Sequence, residues 1–214
     1  MIDITNVDEF ETEALTKSFD CLNKNNAIEV LKEPRDIQYI YSMFDPFNVF
    51  SSTYNVNFKN ILKITAPNGV FYLVQVELKR ARQYSPKYGQ LSKEIEYQIW
   101  GCANLRQTFG NILLQPNELV DDFLTRLLSK LLSKAQLLFP DNSHLNKRYS
   151  ISYSDREKAI IFFNEDVLKK AMMCNYLNIA LKGETIIAGF PRLISVDNTK
   201  KLENFFSTIQ HLVT

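Results

Sequence analysis

The sequence predicts an α+β protein built on a mostly antiparallel sheet, and three observations carry that prediction. Two pairs of strand-like runs are joined within the chain by short turns, Pro67-Asn68-Gly69 and Lys182-Gly183-Glu184, and such sequence-local hairpins are antiparallel. Between them, apolar residues from Leu119 to Phe139 recur at four-residue spacing, which marks a long amphipathic helix at about 117–139. A second helical pattern closes the chain, so runs of strands are separated by helices rather than alternating with them one by one. The chain reads as a single domain, 1–214, with a helical N-terminal segment at 1–45.

The elements follow in order. Phe10, Ala14, Leu15, Phe19 and Leu22 recur at spacings of three and four behind an acidic first turn, Asp8, Glu9 and Glu11, which predicts a first helix over 7–22. Residues 36–44 fit a helix face through Ile37, Ile40, Tyr41 and Phe44, and equally an alternating strand through Ile37, Tyr39, Tyr41 and Met43. Residues 60–66 and 70–80, rich in β-branched and aromatic side chains, form the first hairpin. Residues 94–100 alternate polar and apolar, which predicts a strand with one buried and one wet face. A short strand at 111–115 is closed by Pro116, and the long helix ends at Pro140. Strands are then expected at 148–153 and 158–163. Asn164 caps a helix that presents Val167, Leu168, Ala171 and Met172. The second hairpin, 177–181 with 185–188, precedes a last helix carrying Leu202, Phe205, Phe206, Ile209 and Leu212.

Composition excludes whole classes of protein. With 214 residues, 45% of them hydrophobic, the chain is long enough to bury a core without metal or disulfide staples. It is neither disordered, collagen-like nor a coiled-coil rod. Three widely spaced cysteines, Cys21, Cys102 and Cys174, with no Cys-x-x-Cys pair, argue against a disulfide framework or a zinc site. The acidic N-terminus lacks the basic start of a signal peptide, and Lys130 and Lys134 interrupt the best apolar run. The expectation is a cytoplasmic protein with no membrane segment. Its neutral total of 25 Lys+Arg against 24 Asp+Glu hides an uneven distribution: net −6 over 1–58, +6 over 59–93 and +1 over 94–214. Either the acidic segment packs beside the basic one, or one patch faces an oppositely charged partner and steers its approach.

The residues that carry chemistry are few. Only His144 and His211 are available, and no Gly-x-Ser-x-Gly elbow, Gly-x-Gly-x-x-Gly fingerprint or phosphate-binding Gly-x-x-x-x-Gly-Lys-Ser/Thr loop occurs. No cofactor and no metal site is expected. Glu77 and Lys79, two apart on a strand, share one face, where a carboxylate holds Mg²⁺ while an ammonium steadies a water or a phosphate. This pair resembles the Glu-x-Lys part of restriction-endonuclease-like nucleases. That family also needs an acidic ligand on the preceding strand, where this chain has Asn60, Lys63 and Thr65, with Asp45 far upstream. Directly after the pair, Lys79, Arg80, Arg82 and Lys87 are interleaved with Tyr84 and Tyr88 and no acid. The candidate binding residues are Arg80, Arg82, Tyr84, Lys87 and Tyr88. Such a loop is a solvated connection, a site for an acidic protein, or a grip on nucleic acid in which Arg and Lys hold phosphates and Tyr stacks on bases.

Over residues 97–214 the chain resembles a family of uncharacterised bacterial α+β proteins, some of them membrane-anchored. The matching positions are Leu114, Gln115, Pro116 and Glu118, then Lys147 and Tyr149, then Ser154, Asp155 and Ala159. The chain departs from the family in lacking a membrane segment and in having His144-Leu145 where an aromatic residue is expected. The resemblance implies a compact α+β domain and no activity. Taken together, the sequence points to a non-enzymatic binding protein acting through a macromolecular partner, a protein before a nucleic acid, of immunity- or antitoxin-like type. A divergent metal-dependent nuclease using Glu77 and Lys79 is the alternative, and the oligomeric state is left open.

Overall fold

A computed structural model describes residues 2–5, 7, 9–24, 26–47, 50, 54–67, 69–80, 95–117, 137, 139 and 143–213. Among these, eight strands form one sheet in the order β1-β2-β3-β4-β8-β7-β5-β6, and every neighbouring pair is antiparallel. The strands are β1 (Ala27–Leu31), β2 (Tyr54–Ala66), β3 (Gly69–Arg80), β4 (Ile95–Asn104), β5 (Ile112–Pro116), β6 (Tyr149–Tyr153), β7 (Asn178–Lys182) and β8 (Thr185–Phe190). The helices are α1 (Glu9–Asn23), α2 (Pro34–Phe44), α3 (Ser143–Arg148), α4 (Arg156–Phe162), α5 (Glu165–Met173) and α6 (Val196–Thr208). The α+β class holds, and both hairpins lie where the turns place them.

Both faces of the sheet are covered. Residues 71, 73, 75, 77 and 79 of β3 point to the side of α1 and α6, where Leu15, Leu22, Phe71, Leu73, Tyr97, Ile99, Phe205 and Phe206 join the larger core. The even-numbered residues point to α2, where Ile40, Phe44, Phe47, Phe58, Val74, Val76 and Trp100 form the smaller one. This arrangement corrects the expectation for residues 94–100. Gln98 and Trp100, on the face expected to be wet, lie under the α2 layer, and the Trp100 indole N–H donates to Gln98 Oε1 at 2.8 Å.

The ambiguity at 36–44 resolves as helix. Pro34 sits at the first turn, where its missing N–H costs nothing. Tyr41 stacks on Phe58 at 4.0 Å between ring centroids and accepts the Phe58 backbone N–H at 3.0 Å. Residues 158–163, expected as a strand, belong mostly to α4. Asp155 accepts the Lys158 N–H at 3.2 Å as an N-cap, and the buried residues Ala159, Phe162 and Phe163 have helical spacing, whereas Ile160 and Ile161 are 41% and 60% exposed. The edge strand β1 and the short α3 have no counterpart in the sequence reading. The long helix expected at about 117–139 lies almost wholly outside the described residues, but it does not reach its expected end: Leu137 and Phe139 are not helical, and the buried Leu137 donates its N–H to Ile151 O at 2.9 Å.

Candidate functional site

The antiparallel registers bring distant parts of the chain to one end of the sheet. Tyr54 of β2 faces Arg80 of β3, and Lys79 faces Ile95 of β4. Ile99 faces Phe190 of β8, Asn178 of β7 faces Gly189, and Pro116 of β5 faces Tyr149 of β6. Lys79, Arg80, Arg148 and Arg192 therefore lie at this same end, although they come from three separate parts of the chain. At about 4.8 Å per strand, the five steps from β3 to β6 spread these groups over about 24 Å. The candidate residues Arg82, Tyr84, Lys87 and Tyr88 lie outside the described residues, and Arg80 is placed as the last residue of β3.

Glu77 and Lys79 do share a face, as the spacing predicts, and they close on each other. Lys79 Nζ is 2.7 Å from Glu77 Oε1, with the carboxylate side chain 3% exposed and the lysine 39% exposed. Register aligns Asn57, Glu77 and Tyr97 in one row across β2, β3 and β4. In that row Tyr97 Oη donates to Glu77 Oε2 at 2.8 Å and Asn57 Nδ2 to Oε1 at 3.4 Å. Burial alone acts to raise the Glu77 pKa, but the hydrogen bonds from Lys79, Tyr97 and Asn57 outweigh it and hold the carboxyl below its ordinary value. The ammonium thus occupies the side of the carboxylate where a cation would approach. Asp45 belongs to the turn that carries Phe47 into the α2-side core, on the opposite face of the sheet from Glu77. Among the described residues, no three His, Cys, Asp or Glu side chains cluster as a metal site.

A second polar row lies next to the first. Asn60 Nδ2 donates to Gln75 Oε1 at 2.7 Å, and Gln75 Nε2 to Leu15 O of α1 at 3.3 Å. Asn60 also exchanges hydrogen bonds with the Asp3 backbone at 2.6 and 3.0 Å, so the row ties the N-terminal strap and α1 to the sheet. This acidic strap meets Lys59, which forms an ion pair with Asp3 at 3.3 Å. To that extent the acidic N-terminus packs against the basic segment.

The other feature of this end is a pocket of about 270 Å³ lined by Pro116, Arg148, Tyr149, Asn175 and Tyr176. Arg148 donates from Nη1 to Met172 O and from Nη2 to Cys174 O, each at 2.9 Å, and from Nη2 to Asn175 Oδ1. The two carbonyl acceptors belong to the C-terminal end of α5, where the helix dipole favours a cation. Tyr149 Oη donates to Cys174 O and accepts the Leu177 N–H at 3.3 Å, and burial pushes its pKa up to about 12. Held between these bonds, Tyr176 adopts φ of 65°, a left-handed conformation that costs an L-residue about 1–2 kcal/mol. The Arg192 guanidinium lies 3.4 Å from the centre of the Tyr176 ring. Exposed Met173 and Leu193 flank the pair in the chain.

The sequence reading missed this pocket. The only signals for it are the Lys147-Arg148-Tyr149 triplet and the lone Arg192, and neither says that Arg192 reaches the ring of Tyr176, which shares the pocket wall with Arg148. Of the positions that carry the resemblance over 97–214, Glu118 lies outside the described residues, and several of the others have structural roles here. Ser154 Oγ accepts the Asn111 N–H at 2.9 Å, Asp155 caps α4, Ala159 is fully buried, and Pro116 and Tyr149 pair at the β5–β6 edge. Comparison with family models, with curated proteins and with solved structures finds no match to this chain.

Proposed function

We propose that this is a non-enzymatic binding protein whose basic sheet end engages an acidic protein partner. The observation that supports this reading is the gathering of Lys79, Arg80, Arg148 and Arg192 at one end of the sheet, beside Tyr176, Met173 and Leu193. Arg, Tyr and Met are enriched at protein interfaces, and a local excess of one charge sign speeds the approach of the opposite one. An immunity- or antitoxin-like role is the most concrete form of the proposal, since such a role works by binding alone and needs neither cofactor nor catalytic group. No helix among the described residues is long and apolar enough to cross a membrane.

The test is affinity capture with tagged wild-type protein and the charge-reversed variant Arg80→Glu/Arg82→Glu/Arg192→Glu, from extract with and without nuclease treatment, at low and high salt. The proposal expects one acidic protein that wild type retains at low salt, releases at high salt, and that the folded variant fails to retain. Equal retention by the variant contradicts it, and so does bound material that is nucleic acid. Cleavage of DNA or RNA with Mg²⁺ or Mn²⁺ that disappears in Glu77→Gln would replace it with a nuclease.

A further inference from the structure

We propose that the pocket between Arg148 and Tyr176 is an oxyanion site that receives a carboxylate or a phosphate group. Arg148 lines the space directly, and the Arg192 guanidinium lies 3.4 Å from the ring centre of Tyr176, which forms another wall. Among the described residues no carboxylate forms an ion pair with either group. A cation in the wall, with a second one on the ring of a neighbouring wall residue, favours an anion beside them.

The geometry suits a planar oxyanion. A guanidinium stacked on a ring keeps its N–H donors in its own plane, and the stack fixes that plane in advance, so little rotamer freedom is lost when a carboxylate or phosphate docks. Arg148 is fixed as well, by Met172 O, Cys174 O and Asn175 Oδ1, bonds that use Nη1 and Nη2 and leave its Nε–H out. Asn175 supplies an amide in the same wall. The left-handed backbone at Tyr176 supports the assignment independently, because a strained aromatic residue persists only where its surroundings over-determine it, and such positions concentrate at ligand sites. A volume of about 270 Å³ exceeds a single oxyanion and leaves space for its hydration shell or for the stem of an acidic side chain.

The oxyanion has two possible sources, a free anion and an acidic side chain of a bound protein, and the site does not depend on which of them supplies it. Titration of ¹⁵N-labelled protein with inorganic phosphate, with acetyl-tetraglutamate amide and with acetyl-tetraglutamine amide separates the two. Expected is a saturable shift of the Asn175, Tyr176 and Leu177 amides with phosphate, with tetraglutamate, or with both, and none with tetraglutamine. Shift with phosphate alone makes it a free-anion site, and shift with tetraglutamate makes it a side-chain site. Arg192→Leu, at an exposed position, weakens binding by about tenfold or more, the effect of losing one charge-assisted contact. Tyr176→Gly, which accepts the left-handed backbone without strain, also weakens it, while Tyr176→Phe keeps the stack and the affinity. Overturning results are no saturable shift with either anion, equal shifts with tetraglutamine, or unchanged affinity in folded Arg192→Leu.

Discussion

Replacing Tyr97 by Phe tests the assignment of Glu77 to the framework of the fold. The substitution keeps a fully buried ring and removes the hydroxyl that donates to Glu77 Oε2 at 2.8 Å. A hydrogen bond to a charged group contributes about 1.5–3 kcal/mol, so the expected loss at pH 7 is about 2 kcal/mol. For a chain of this length that lowers the melting temperature by about 4–8 °C. The loss also depends on pH in a defined direction. Because the folded carboxyl is held below its ordinary pKa, its contribution is present above the unfolded value of about 4.3 and is lost as pH falls through the lower folded value. Urea titrations at a series of pH values, with Glu77→Gln as the second arm of a double-mutant cycle, measure this directly. The difference between wild type and Tyr97→Phe should shrink on acidification below about pH 4.3, and the two substitutions should be non-additive. A difference below about 0.5 kcal/mol at pH 7, or strict additivity with Glu77→Gln, refutes the reasoning.

Other outcomes follow from the packing. Complete burial raises the Cys102 thiol pKa far above the ordinary range, and burial pushes Cys174 up to about 11, whereas Cys21 is only partly buried. Titration with a thiol reagent at pH 8 should therefore find one fast thiol in the native protein and all three after denaturation; two fast native thiols would contradict the burial. Gly189 packs against the indole of Trp100, and a Cβ there would come within 2.3 Å of the ring. Gly189→Ala should cost about 2–3 kcal/mol and shift the tryptophan emission, while unchanged emission and stability would show that this contact is absent.

How much could be read from the sequence depended on whether a signal was local. The hairpin turns at 67–69 and 182–184 are local chemistry, and both lie where predicted. The same holds for the shared face of Glu77 and Lys79, since a strand repeats every two residues. Tyr97 and Asn57, which complete the carboxylate's hydrogen bonds, were not visible, because they reach it only through the register of three strands. In residues 158–163, β-branched Ile160 and Ile161 suggested a strand, but the Asp155 cap and the burial of Ala159, Phe162 and Phe163 favour a helix that leaves both isoleucines outside. The alternating pattern at 94–100 marks the strand but not the burial of its second face, because a helical layer on that face leaves no mark in the strand itself. The pocket was least legible. Arg148 and Arg192 are far apart in the chain, and the left-handed position is itself a Tyr and not the Gly or Asn that would announce it.

The central claim is that the basic end of the sheet is the working surface, and site-specific photocrosslinking tests it most directly. A photoreactive residue is placed at exposed Leu193 beside the Arg192–Tyr176 stack, and in a second protein at exposed Glu184, in the turn at the opposite end of the sheet. Irradiated in extract at low salt, the Leu193 protein should give a discrete crosslinked species containing an acidic protein, fading as salt rises and absent with Arg192→Glu. The Glu184 protein should give none. Discrete crosslinks from Glu184 with none from Leu193 would contradict the account.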